Sequence, residues 1–224
     1  MSTAGGKYRF SGEIAHKAQL RLAKQIVFED RLPEKIRLVG GVDAAYVKGF
    51  SVGAVTVLNY NSLTVVESQT SLTRTSVPYI PTLLSFREIP PTLMSIRKLK
   101  VQPDVFLVDG HGFAHPYHCG YASHLGLVIK KPTIGVAKGK LSGQMESTEA
   151  HEEVSFLKQD GEVIGAAIRT SPERKPIYVS VGHMVSLETA IRIVKHCVRG
   201  NRIPEPILKA HEAATQEKRK IHIT

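Results

Sequence analysis

Apolar residues at positions 14, 18, 22 and 26 recur every four places among Lys17, Arg21 and Lys24, which predicts an amphipathic basic helix over about 8–30, ended by Pro33. The helical period then gives way to shorter runs. Residues 36–42 predict a strand leading into Gly40-Gly41-Val42-Asp43, and 51–60 and 63–72 predict two more, separated by the turn-prone Asn61-Ser62. Together these read as an antiparallel β-meander. Residues 83–100 predict a helix with Leu93, Ile96 and Leu99 on one face, interrupted near its start by Pro90-Pro91. The continuous apolar run 105–108 is of the kind buried in parallel sheets. It ends at Asp109, followed by a glycine- and histidine-rich loop over 110–120. A short helix (122–129), a strand (133–137) and a strand pair (162–169 and 177–181, joined through Pro172) come next. Ser186 caps a helix carrying Leu187, Ile191, Val194 and Val198 on one side. The last helix starts near Pro206 and sets Ile207, His211 and Ala214 together.

A meander followed by alternating helices and strands predicts an α/β fold with a mixed sheet flanked by helices. No repeat, low-complexity tract or linker divides the 224 residues, so one domain spanning 1–224 is expected, with its core over about 36–224. Composition then narrows the classes. The 42% hydrophobic and 22% charged residues exclude a wholly disordered chain, and no apolar run approaches the roughly 18 residues of a membrane span. The opening residues lack an apolar signal core, and two cysteines, Cys119 and Cys197, make no disulfide framework. A cytoplasmic protein with no membrane partner is expected. Thirty Lys and Arg against 20 Asp and Glu leave a formal charge of +10, an excess that attracts polyanions, chiefly nucleic acid.

Sites in α/β sheets gather at the carboxyl ends of neighbouring strands, and Asp43 and Asp109 each follow an apolar run. Glu88 lies near the start of the intervening helix. Three converging carboxylates repel one another unless a cation neutralises them, and hard oxygen donors suit Mg²⁺ or Mn²⁺. Such an ion activates water and stabilises charge on a phosphodiester. Taken singly, the same residues are a pair of turn aspartates and a solvated helix glutamate. A second metal reading uses His111, His115, His118 and Cys119, whose nitrogens and thiolate are a zinc ligand set. The pattern leaves both open.

A series of motifs runs in order along most of the chain: Val39-Gly-Gly-Val-Asp43, Pro78-Tyr-Ile-Pro81, Phe86-Arg-Glu88, Pro103-Asp-Val-Phe-Leu-Val-Asp-Gly110, Ala114-His-Pro116, Ala122-Ser-His-Leu-Gly126 and Pro132-Thr-Ile-Gly-Val-Ala-Lys138, then Ile203-Pro-Glu-Pro206 and His211. This series resembles the endonuclease V family of nucleases, which act on strands containing deaminated purines. The resemblance implies a ribonuclease H-like fold and an acidic centre of Asp43, Glu88 and Asp109 that takes Mg²⁺, with Mn²⁺ as a substitute. It assigns Lys138 a place beside the scissile phosphate and His211 a supporting catalytic role. Pro78, Tyr79, Ile80 and Pro81 would form a wedge in the base stack, and His115 and Lys138 would contact the strand. Leu83, Leu84, Gly110, Gly112, Gly120 and Tyr121 would surround a displaced base with backbone donors and acceptors.

The implied activity is hydrolysis of the second phosphodiester bond 3′ to inosine, leaving 3′-hydroxyl and 5′-phosphate ends, in repair of DNA containing deoxyinosine. Inosine-containing RNA is the alternative substrate, and a monomer suffices. Two departures stand out. Thr82 occupies a position where the family has glycine, and Tyr117-His118 follows Ala114-His-Pro116 where the family usually has an arginine. Two rivals come from other classes: a non-catalytic nucleic-acid-binding module that grips with Tyr79 and the basic surface, and a zinc hydrolase built on His111, His115 and Cys119. The basic tail Lys218-Arg219-Lys220 is expected to serve phosphate binding or solubility.

Overall fold

The computed structural model describes residues 10–146, 153–171 and 173–223. Pro172, the link in the predicted strand pair, and residues 8–9 of the predicted first helix lie outside the described residues. The elements run α1 (Gly12–Ala23), β1 (Leu38–Val47), β2 (Phe50–Asn59), β3 (Val65–Arg74), a 3₁₀ turn (Pro81–Leu83), α2 (Leu84–Arg97) and β4 (Val105–Asp109). Then follow α3 (Tyr121–Ile129), β5 (Thr133–Ala137), β6 (Gln144–Met145), β7 (Val154–Gln159), β8 (Glu162–Ile168), β9 (Ile177–His183), α4 (Leu187–His196) and α5 (Glu205–Ile223). All nine strands form one sheet in the order β3-β2-β1-β4-β5-β9-β8-β7-β6. The β1–β3 meander is antiparallel, β4 and β5 join in parallel, and β9 returns antiparallel. This is the expected mixed α/β class, flanked by helices. No helix among the described residues is long and apolar enough to cross a membrane.

Two tight turns set the hairpins. Lys48 and Gly49, at φ of 44° and 80°, close β1 onto β2, and Asp160 and Gly161, at 51° and 85°, close β7 onto β8. Both central residues at positive φ give the twist that a two-residue hairpin needs. Asp160-Gly161 was the local signal for β7, a strand absent from the sequence reading, as was β6.

Side-chain alternation sorts the core into two layers. Val42, Val55, Phe106 and Val108 pack with Ile89 and Ile96 of α2 and Leu125 of α3. Val39, Leu58, Val105 and Leu107 pack on the other face with Ile193 and Val194 of α4 and Ile207 of α5. One strand end differs from expectation. Asp43 does not close β1, because pairing with β2 continues through Val47↔Phe50, whereas parallel pairing with β4 stops at Val42↔Val108. The two aspartates therefore stand where β1 and β4 part.

The first two helices also differ from prediction. Pro90 and Pro91 lie inside a continuous α2. Each lacks an N–H for the helical ladder, and tertiary packing compensates. Gly53 of β2 lets the helix come close: a Cβ there would collide with the Pro91 and Thr92 backbone, and Ser95 Oγ donates to the Gly53 carbonyl at 2.8 Å. The buried residues of α2 are Ser85, Glu88, Ile89, Pro91, Thr92, Ser95 and Ile96, so four of the seven are polar and Leu93 is not among them. In α1 the buried residues are Ala15 and Gln19, while Ile14, placed inward by periodicity, is 70% exposed. Gln19 displaces it because its amide has partners inside the protein.

Candidate active site

Three carboxylates from three elements surround the point where β1 and β4 diverge. Asp43 of β1 faces α5, where His211 Nδ1 donates to its Oδ2 at 2.7 Å. Three residues further along β1, Tyr46 faces α2 and donates its hydroxyl to Glu88 Oε1. Asp109, at the end of β4, accepts from Lys138 Nζ, just beyond β5, at 2.5 Å. Burial pushes the Asp43 carboxyl up to about 6, the Asp109 charge adding to it and the His211 contact opposing it. Burial also pushes Glu88 up to about 8; the Tyr46 hydrogen bond opposes this, and the charges of Asp43 and Asp109 reinforce it. Two buried carboxyls that feel each other and Asp109 are electrostatically suited to a divalent cation, and all-oxygen donors suit a hard one. Among the described residues no three acidic, histidine or cysteine side chains already form a closed metal cage. Each carboxylate is instead turned to its own protein partner.

Glu88 and Asp109 also line a cleft of about 90 Å³. Of the expected base-pocket residues, Leu84, Gly110, Gly120 and Tyr121 line it. Leu83 and Gly112 do not. Leu83 is sealed in the interior, and Gly112 donates its N–H to Ser180 Oγ at 2.9 Å, packed so tightly that a Cβ would strike the Val181 carbonyl. The amides of Gly110 and Gly120 are also engaged, with Val136 O at 3.1 Å and Gly112 O at 2.9 Å. The opening amide of α3, at Tyr121, lacks an intrahelical acceptor and is a better donor for a ligand.

Sequence reasoning missed Gln19. Its Nε2 donates to Thr82 O at 2.8 Å and Cys119 O at 2.9 Å, tying two walls of the cleft together. The available signal was a glutamine on the inner side of an otherwise amphipathic helix. Thr82, the departure from glycine, is accommodated by this bond and by its hydroxyl's contact with His16 Nε2 at 3.1 Å. Tyr46 was missed because β1 was ended at Asp43.

Pro78 and Tyr79 are exposed and Ile80 is half-buried in the loop before the 3₁₀ turn, and Pro81, which opens that turn, is exposed. Tyr79 is 64% exposed. The Arg87 guanidinium lies 6.0 Å from its ring centroid and 4.0 Å from that of Tyr46, between the loop and the partner of Glu88.

The histidine loop does not converge on one point. His111 Nε2 donates to Gly139 O at 2.9 Å, and His115 Nδ1 accepts from Tyr117 N–H at 3.1 Å. Burial pulls His115 down to about 4, so the ring is neutral near pH 7. It is 3% exposed and part of the cleft wall, so it does not stand on an outer surface as a strand contact would. The Cys119 thiol is buried and pushed up to about 12, against the thiolate that zinc ligation needs. The zinc reading loses its ligand set.

A model of the endonuclease V family matches residues 20–212. The endonuclease V of Thermofilum pendens is 45% identical over 207 residues, which is 92% of this chain and 88% of the relative. That of Dictyoglomus turgidum is 41% identical over 196 residues, 87% of this chain and 86% of the relative. Among solved structures, the endonuclease V of Streptomyces avermitilis superposes with a TM-score of 0.88 at 33% identity, covering 96% of both chains. An endonuclease V of Ciona intestinalis, in complex with a 24mer DNA containing an inosine followed by a ribo-adenosine, gives 0.83 at 34% identity over 94% of this chain and 100% of that one.

Proposed function

The chain belongs to the endonuclease V family, and from that membership we propose that it is a divalent-metal-dependent endonuclease that cuts strands containing inosine. The cut falls at the second phosphodiester bond 3′ to the inosine, leaving 3′-hydroxyl and 5′-phosphate ends, and the biological role is repair of deaminated DNA. The observation that carries this reading is shared lining: Glu88 and Asp109 belong both to the acidic group and to the cleft bordered by Leu84, Gly110, Gly120 and Tyr121. The Ciona relative's complex with inosine-containing DNA supports the substrate class.

Asp43, Asp109 and Glu88 would hold the ion, Mg²⁺ or Mn²⁺. When bound, it supplies an activated water and neutralises charge growing on the phosphodiester. The remaining work falls to side chains already in position. His211 fixes the orientation of the Asp43 carboxylate through their hydrogen bond. Tyr46 does the same for Glu88. Lys138, beside Asp109, holds a phosphate oxygen and stabilises the developing negative charge. Tyr79, braced by flanking prolines, enters the base stack and fills the gap left by the displaced inosine. His115 helps shape the cleft from within its wall, and the Tyr121 amide supplies a donor to the base edge.

The test uses end-labelled single and double strands with one inosine, beside undamaged controls, in Mg²⁺ and in chelator. The expected result is a single Mg²⁺-dependent product that Asp43→Ala abolishes while binding persists. Tight, salt-sensitive binding without cutting in any divalent ion would replace this reading with the non-catalytic module. A second reading, inosine-containing RNA, is favoured by the ribo-adenosine that follows the inosine in the Ciona complex. The same assay with a 2′-hydroxyl at that position decides between them.

A further inference from the structure

A second, open groove of about 460 Å³ borders the acidic site through His211 and Tyr46. Ala44, Ala45 and Tyr46 of β1 line it together with His211, Thr215, Lys218 and Arg219 of α5. The four α5 positions are spaced i, i+4, i+7 and i+8, which is one stripe of a helix. The adjacent stripe, Ile207, Ala210 and Ala214, is buried, so the cations are held on an anchored helix and not on a loop. None of the described lining residues is acidic. The neighbouring acids are already matched: Glu212 pairs with Lys209 at 2.9 Å and Glu217 with Lys220 at 2.9 Å. Among the described residues neither Lys218 nor Arg219 has an ion pair or hydrogen bond.

We propose that this groove binds the phosphodiester backbone of the substrate strand on the 3′ side of the cut. The inference rests on the proposed function above and gives that site its polarity. Two groove residues touch the acids directly, His211 at Asp43 and Tyr46 at Glu88, so the carboxylates lie between groove and cleft. A strand with its inosine in the cleft and the bond to be cut at the acids, 3′ of that base, has only its 3′ continuation left for the groove. Phosphates there meet Lys218 and Arg219 without displacing an existing ion pair, and the Thr215 hydroxyl adds a neutral donor. The alanines at 44 and 45 keep the β1 side low.

The experiment measures binding of fluorescent single strands with one inosine to the full chain, in chelator to prevent cutting. One series lengthens the strand beyond the cut on the 3′ side, and a mirror series lengthens it on the 5′ side. Wild type is compared with Lys218→Gln/Arg219→Gln, and with the double alanine variant, each first checked for unchanged circular dichroism. Wild-type affinity should tighten with 3′ length until the groove is filled. Both variants should lose that gain, about tenfold, with a salt slope lower by about 1.4 for two lost phosphate contacts. The 5′ series should be alike in all three proteins. An equal 3′ gain in wild type and variants overturns the proposal, as does an equal loss in both series, which would mark diffuse surface charge. Inosine strands bound and cut no better than adenosine strands by wild type would instead overturn the parent reading and this one with it.

Discussion

Glu88→Gln tests whether the folded protein without a metal ion carries a buried carboxyl that resists ionisation. Burial holds the Glu88 carboxyl at about 8 against an ordinary 4.5, reinforced by Asp43 and Asp109. A carboxyl raised on folding stabilises the folded state while it is protonated. Its contribution is complete below pH 4.5 and is lost as pH rises through 8. At about 1.4 kcal/mol per tenfold change in proton affinity, wild type loses roughly 3 kcal/mol by pH 7 and about 5 kcal/mol by pH 9. Glutamine has the same shape, can still accept the Tyr46 hydroxyl and never ionises. In chelator at pH 7 the variant should therefore melt about 6–12 °C above wild type for a chain of this size. The gap should widen toward pH 9 and close toward pH 5. Thermal unfolding followed by circular dichroism across that range measures it, and Mg²⁺ should narrow it by stabilising wild type alone. Parallel melting curves at every pH, or a variant less stable than wild type at pH 8, would refute the reasoning and mean that the Glu88 carboxylate is satisfied without a cation.

Three other perturbations probe separate parts. Tyr79→Ala, at a 64% exposed side chain, should leave melting unchanged yet slow cutting of duplex inosine more than of single strands; an equal loss on both would remove the wedge role. Lys138→Met deletes the ammonium beside Asp109 and should lower kcat about 10²-fold with little change in strand affinity, checked by single-turnover cleavage alongside binding. Gln19→Ala strips Thr82 O and Cys119 O of their donor and should cost about 1–3 kcal/mol in urea unfolding. It should also reduce the preference for inosine over adenosine, and an unchanged preference would confine Gln19 to stability.

Much of the architecture was legible from the chain because its signals are local. Strand and helix periods, the Asn61-Ser62 turn and the Ser186 cap act over a few residues, and the acids were found because they follow apolar runs or sit in a motif. The motif order alone also pointed to the family. What the sequence could not settle is decided by contacts between distant segments. Pro90-Pro91 reads as a break, yet α2 continues because Gly53, far away in sequence, admits its backbone. Ile14 reads as buried, yet it is exposed, and two carbonyls from other loops hold Gln19 inside instead. The end of β1 was misplaced because Asp43 looks like a terminus, whereas pairing with β2 carries the strand on to Tyr46 and gives Glu88 its donor. Sequence therefore supplied the candidate residues and most of the elements that carry them. The tertiary structure decided which of those groups meet, because hydrogen-bond partners and desolvation depend on what is packed opposite, not on what is adjacent along the chain.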